Sequence, residues 1–124
     1  LNPIAIDRKA GAKALKQVLR DGSERIKSGW WILLFPEGTR TAPGTRRKYS
    51  QSGAALALRN NCPLVPVAHN AGVYWSRNAF IKYPGVIQVV IGAPIDLTGK
   101  TANEVTAEAE QWIEQTVESL PQSP

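Results

Sequence analysis

The run Trp30-Trp31-Ile32-Leu33-Leu34-Phe35 stops at Pro36 and gives way at once to Glu37-Gly38-Thr39-Arg40. The six residues before the proline are apolar and β-prone without interruption. Such a run suits a strand covered on both faces, as strands of parallel sheets are. Pro36 cannot donate a ladder hydrogen bond, so the strand ends there. Beyond it a loop rich in Pro, Gly, Thr and Arg reaches Ser50.

Outward from this strand, helices and strands alternate. Pro3-Ile4-Ala5-Ile6-Asp7 reads as a short strand. A helix is expected over about Lys9 to Lys27, with Ala14, Leu15, Val18, Leu19 and Ile26 on one face. Lys9, Lys13, Lys16, Arg20 and Lys27 fall on nearly the opposite face. That stripe is either a solvated face or a surface for anionic lipid. Downstream, a short helix is expected over Ser52 to Asn60 and a strand over Pro63 to Ala68. The two prolines of that strand place part of it at a strand end or bulge. Residues 70–85 read as irregular, and Val86 to Ile91 as the last strand. Thr101 and Glu104 form a capping-box pattern that opens a helix to about Leu120. Its inward residues are Val105, Ala109, Trp112, Ile113 and Val117, with the acidic residues toward solvent.

This order predicts an α/β fold, a largely parallel sheet flanked by helices. Residues 1–120 read as part of a single domain and residues 121–124 as a frayed tail. In such sheets ligands sit beyond the carboxyl ends of strands, here the loops after Ile6, Phe35 and Val67.

Composition narrows the partners. The chain has 124 residues, no methionine and one cysteine, Cys62, so neither an internal disulfide nor a cysteine metal cluster is available. A chain that opens on Leu1 in an apolar segment is expected to be a piece of a longer protein or a processed chain. No apolar run approaches the ~20 residues of a membrane-spanning helix. Residues 1–82 carry 14 Lys/Arg against 4 Asp/Glu, whereas residues 83–124 carry 1 against 6. The basic part favours phosphates, acidic membrane surfaces or nucleic acid.

Two clusters carry chemistry. Asp7-Arg8 comes directly after the first strand. Around the second, Gly38 is free to take a positive φ that turns backbone amides toward a ligand. Thr39 offers a hydroxyl, and Arg40 can fork onto a phosphate through two parallel N–H bonds. Glu37 would repel a phosphate, so its place is to orient an arginine or accept a substrate hydroxyl. The competing reading is an ordinary strand-to-loop turn with a local Glu37–Arg40 pair.

The hexapeptide Phe35-Pro36-Glu37-Gly38-Thr39-Arg40 closely resembles the third signature motif of the glycerol-phosphate and lysophosphatidic acid acyltransferases. Ile4-Ala5-Ile6-Asp7-Arg8 resembles the end of their second motif, and Val65-Pro66-Val67-Ala68 their fourth. The resemblance covers essentially the whole chain. It implies a glycerol-phosphate acyltransferase-like fold, here without its N-terminal elements. It implies transfer of an acyl group from acyl-CoA or acyl carrier protein to the free hydroxyl of a lysophosphatidic acid acceptor. It implies no metal and no further cofactor. Arg8 and Arg40 would hold the acceptor phosphate, with Glu37, Gly38 and Thr39 shaping the same pocket. A membrane surface is the implied setting, on its cytoplasmic face, reached peripherally or through an anchor outside this chain.

One departure is plain. The family's first motif is a histidine followed five positions later by an aspartate, which together act as the base. The only histidine here is His69, and Tyr74 stands five positions on. His69 reads as a structural histidine at a strand end, and no catalytic residue is assigned in the chain; the histidine motif is expected upstream of Leu1. The alternative function is a non-catalytic basic domain that binds anions or nucleic acid. It finds no recognised nucleic-acid motif in the sequence.

Overall fold

The structure is a computed structural model that describes residues 3–4 and 11–124. Asp7, Arg8 and Lys9 lie outside the described residues, as does most of the expected first strand. The elements are α1 (Ala12–Lys27), α2 (Ser52–Asn60), β1 (Val67–His69), α3 (Ala71–Tyr74), β2 (Val89–Ile91) and α4 (Ala102–Ser119).

α2 has the expected bounds and ends at Asn61 in the left-handed conformation. α4 begins with the expected capping box. Thr101 Oγ1 accepts from the Glu104 amide at 3.2 Å, and Glu104 Oε2 accepts from the Thr101 amide at 3.0 Å. These bonds satisfy two amides that the first helical turn leaves unpaired. α1 packs on α2 through Gly22, where an added Cβ would lie 2.8 Å from Leu56 Cδ2. Next to it, Ser23 Oγ accepts from Asn60 Nδ2 at 2.9 Å. The core proper is Ala54 of α2, Ile95, and Val105 and Ala109 of α4, with Leu58, Leu64 and Leu97 around it.

The largely parallel sheet is corrected among the described residues: the sheet has two strands, β1 and β2, and they run antiparallel. Val67 pairs with Ile91, Ala68 with Val90 and His69 with Val89. A parallel pair needs a crossover of a dozen residues or more, usually helical. Between β1 and β2 only the single turn of α3 is helical, so the chain folds back on itself. An isolated antiparallel bridge joins Leu64 to Ile95, one residue out of register with β1–β2. The proline-bearing segment is thus bulged, as its prolines require.

Trp30–Phe35 is corrected too. It forms no ladder among the described residues. Trp31, Leu33 and Phe35 are exposed, while Ile32 and Leu34 are half-buried. The alternation shows an extended chain covered on one side only, where Leu34 Cδ1 lies 3.2 Å from a Cβ built on Gly53 of α2. Burial on both faces needs a second layer that the described residues do not supply.

Asn70, 3% exposed, joins three segments. Its Oδ1 accepts from the Gln88 amide at 2.9 Å, and its Nδ2 donates to the Pro121 carbonyl at 3.1 Å. Trp112 of α4 covers the end of β2, where a Cβ on Gly92 would lie 2.7 Å from its ring.

Candidate functional site

Phe35 to Gly38 is a tight turn. The Gly38 amide donates to the Phe35 carbonyl at 3.0 Å, with Pro36 at the second position, where its fixed φ is favourable. Gly38 has φ +70°, the positive value expected of it, and a Cβ there would meet nothing within 4 Å. The constraint is therefore backbone conformation, not crowding. The turn is held from behind by the Ser50 amide, which donates to the Pro36 carbonyl at 2.8 Å.

The residues singled out take distinct places around this turn. Arg40 is exposed, and among the described residues its side chain makes no hydrogen bond or ion pair. The local Glu37–Arg40 pair does not form. Glu37 is half-buried, and burial holds its carboxyl above the usual range. Repulsion from Glu114 adds to that rise, and Arg47 opposes it. Thr39 is half-buried, and its Oγ1 accepts from Arg77 Nη1 at 3.1 Å. Gly38 and Arg40 thus stand open at the surface while Glu37 and Thr39 face protein. Arg8 lies outside the described residues.

Arg77 and Tyr49 are additions that the local sequence did not single out. Arg77 lies just beyond α3, and α3 is close to the loop after Arg40: a Cβ on Gly72 would be 3.6 Å from Pro43 Cγ. No spacing in the sequence announces a contact between residues 38 apart. Tyr49, 4% exposed, donates from its hydroxyl to Glu114 Oε1 at 3.0 Å. Burial, then this hydrogen bond, push the phenol well above its ordinary range. Arg46 lies 3.5 Å from Glu114 Oε2 through its Nε and also pairs with Glu118. The acidic face of α4 is therefore not wholly solvated, since its last turns receive the basic loop. Arg47 and Lys48 remain exposed.

His69 caps the start of α3: its Nδ1 accepts from the Ala71 amide at 3.2 Å. This is the structural role expected of it. Among the described residues no three His, Cys, Asp or Glu side chains gather to hold a metal, and no helix is long and apolar enough to cross a membrane. Among the described residues, the arrangement offers an anion the unpaired Arg40 guanidinium beside a positive-φ glycine, with the Arg77 guanidinium one hydroxyl away.

Comparisons with known proteins give the family and the fold. The profile of the family described as Acyltransferase matches residues 1–70, which include Asp7-Arg8 and the whole 35–40 turn. A 1-acyl-sn-glycerol-3-phosphate acyltransferase of Pseudomonas aeruginosa is 45% identical over 123 residues, covering 97% of this chain and 48% of that protein. One of the same name from Cocos nucifera is 25% identical, covering 95% of this chain and 39% of that protein. The chain thus spans about half the length, or less, of these curated relatives. The crystal structure of the 1-acyl-sn-glycerophosphate (LPA) acyltransferase PlsC from Thermotoga maritima superposes with a TM-score of 0.72 at 24% identity. That match covers 87% of this chain and 44% of that one, and it shows the fold. With its profile matched over residues 1–70, the signature turn included, the chain belongs to the acyltransferase family.

Proposed function

We propose that this chain is the acceptor-holding part of an enzyme that acylates the free hydroxyl of lysophosphatidic acid in phospholipid synthesis. The donor is acyl-CoA or acyl carrier protein, used as co-substrate with no further cofactor. The acceptor oxygen attacks the thioester carbonyl, a C–O bond forms, the C–S bond breaks, and the thiol leaves with the proton. The names of the relatives support the reaction.

The observation that carries this reading is Arg40, exposed and unpaired among the described residues beside the Gly38 turn. A guanidinium held near such a turn and left without a carboxylate suits a phosphate, which accepts two parallel N–H bonds. Arg8 is proposed as the second phosphate contact. Glu37 and Gly38 shape the pocket and Thr39 lines it. Burial and the nearby Glu114 disfavour the charged form of Glu37, which suits it to shaping the turn rather than contacting the phosphate. The general base belongs to a His–Asp pair that these 124 residues do not contain.

We place the enzyme on the cytoplasmic face of a membrane, peripherally or through an anchor outside this chain. The exposed Lys13, Lys16, Arg20 and Lys27 of α1 support an anionic surface as partner. The deciding experiment is titration of the chain with glycerol 3-phosphate, with and without Arg40→Ala. Binding by the parent and its loss in the variant are expected. Equal affinity of the two would remove Arg40 from the phosphate site.

A further inference from the structure

The segment from Tyr74 to Tyr83 is a closed loop rather than a loose connection. The Tyr83 amide donates to the Tyr74 carbonyl at 3.0 Å, and Ser76 Oγ donates to the Gly72 carbonyl at 2.8 Å. Gly85 lets the base close, since a Cβ there would lie 2.1 Å from the Tyr74 ring. Despite this fixed base, the loop turns its large apolar residues outward. Phe80 is 100% exposed, Ile81 62%, Trp75 55% and Tyr83 51%. Two cations are interleaved with them: Lys82 Nζ sits 4.3 Å from the Trp75 ring centroid, and Arg77 reaches Thr39. No Asp or Glu occurs anywhere from Gly38 to Ile95.

We propose that this loop is the part of the chain that enters the surface of an anionic bilayer. Its aromatic and apolar residues would lie among the head groups, with Arg77 and Lys82 against lipid phosphates. Aromatic rings beside Lys and Arg are the composition of membrane interfaces, where one end of a side chain is apolar and the other wet. A loop within a stretch of chain without acidic residues complements the negative charge of such a leaflet. The competing surface on α1 carries lysines without aromatic residues, and its Arg20 is paired with Asp21 at 2.8 Å. It can attract a membrane but has little to insert. The exposed run 30–35 is uncharged, and nothing on it says what covers it. The inference rests on the proposed lipid acceptor, because the Arg77–Thr39 hydrogen bond sets the loop beside the turn that would take the acceptor's phosphate.

The test uses vesicles of phosphatidylcholine alone or mixed with phosphatidylglycerol, with neither lysolipid nor thioester present. A negative result therefore leaves the acyl-transfer reading untouched. In a Cys62→Ser background, an environment-sensitive fluorophore on Phe80→Cys is expected to shift to the blue and brighten on the mixed vesicles. The same label on Gln111→Cys, exposed on α4, is expected to stay unchanged. Phe80→Ser with Ile81→Ser should lower vesicle partition roughly tenfold through lost apolar burial. Arg77→Gln with Lys82→Gln should lower binding to the mixed vesicles only. An unchanged label at position 80 overturns the proposal. So does a loss of binding confined to Lys13→Gln with Lys16→Gln, which would give the membrane to α1. Self-association or capture of another protein through the loop, without vesicle binding, overturns it equally.

Discussion

Tyr49 and Glu114 are joined by a 3.0 Å hydrogen bond across 65 residues of sequence. The bond ties the loop behind the 35–40 turn to the C-terminal third of α4. Ser50, the next residue, holds the Pro36 carbonyl, so α4 is coupled to the turn through two consecutive residues. Arg46 reaches Glu114 and Glu118 from the same loop.

Tyr49→Phe is therefore expected to cost about 1.5–3 kcal/mol, the net worth of a hydrogen bond to a charged group, while the ring still fills its buried site. Urea denaturation of the chain measures it. The same variant should weaken glycerol 3-phosphate binding by loosening the turn. If stability falls and affinity does not, the coupling from α4 to the turn is absent.

Glu37 should leave a pH signature. Its folded-state pKa lies above the ordinary value of 4.5 because burial and Glu114 disfavour the charge. The folded state thus holds this proton more tightly than the unfolded chain. Its contribution to stability is fully present below pH 4.5 and is lost as pH rises through the raised value. Glu37→Gln should remove that loss, leaving the variant relatively more stable near neutrality and with a flatter profile over that window. Denaturation midpoints measured against pH check this; parallel profiles would mean that Glu37 ionises as an exposed carboxylate does.

The α1–α2 contact makes a graded prediction at Gly22. A Cβ would press on Leu56 Cδ2, the far end of a flexible side chain. Gly22→Ala should be nearly neutral, since the helix propensity gained, about 1 kcal/mol, offsets the shift of Leu56. Gly22→Leu should cost about 1–3 kcal/mol through overpacking. Equal urea midpoints for Gly22→Leu and the parent would show that the two helices are not in contact there.

What could be read from the sequence divides by range. The bounds of α2 and the capping box of α4 depend on neighbours a few residues apart, and they formed as expected. The positive φ of Gly38 was legible for the same reason: one residue type and one turn decide it. Strand direction was not, because it depends on how residues 70–88 return the chain, where only the single turn of α3 is helical. The apolar run 30–35 was expected as a strand covered on both faces and forms no ladder among the described residues, since nothing within it tells whether one face or two are covered. Thr39–Arg77 and Tyr49–Glu114 left no local trace, since each joins segments that only the folded chain brings together.

Asn70 is buried with both ends of its amide engaged. Asn70→Ala leaves the Gln88 amide and the Pro121 carbonyl without that partner, at about 1–3 kcal/mol for each group that stays dry. Asn70→Asp keeps an acceptor for Gln88 but sets a carboxylate against the Pro121 carbonyl, so it should not rescue. Hydrogen exchange at the Gln88 amide, faster in Asn70→Ala than in Asn70→Asp, separates this network from general destabilisation. Unchanged exchange in Asn70→Ala would mean that water replaces the side chain without loss.

The chain should bind without turning over. Its only histidine is tied at Nδ1 to the Ala71 amide, and Tyr74, not an aspartate, stands five positions later. Loss of a general base alone costs roughly 10²- to 10⁴-fold in rate. Incubated with lysophosphatidate and acyl-CoA, the 124-residue chain is expected to release no CoA above background. It should still bind glycerol 3-phosphate, about ten- to a hundredfold more weakly after Arg40→Ala, from about 1.5–3 kcal/mol for a lost charged hydrogen bond. Arg40→Lys should recover part of that affinity, because an ammonium keeps the charge but cannot fork. Release of CoA by the chain would mean that a base other than a His–Asp pair operates within these residues. Full recovery by Arg40→Lys would mean that the site reads charge alone and that the two parallel bonds assigned to Arg40 are not made.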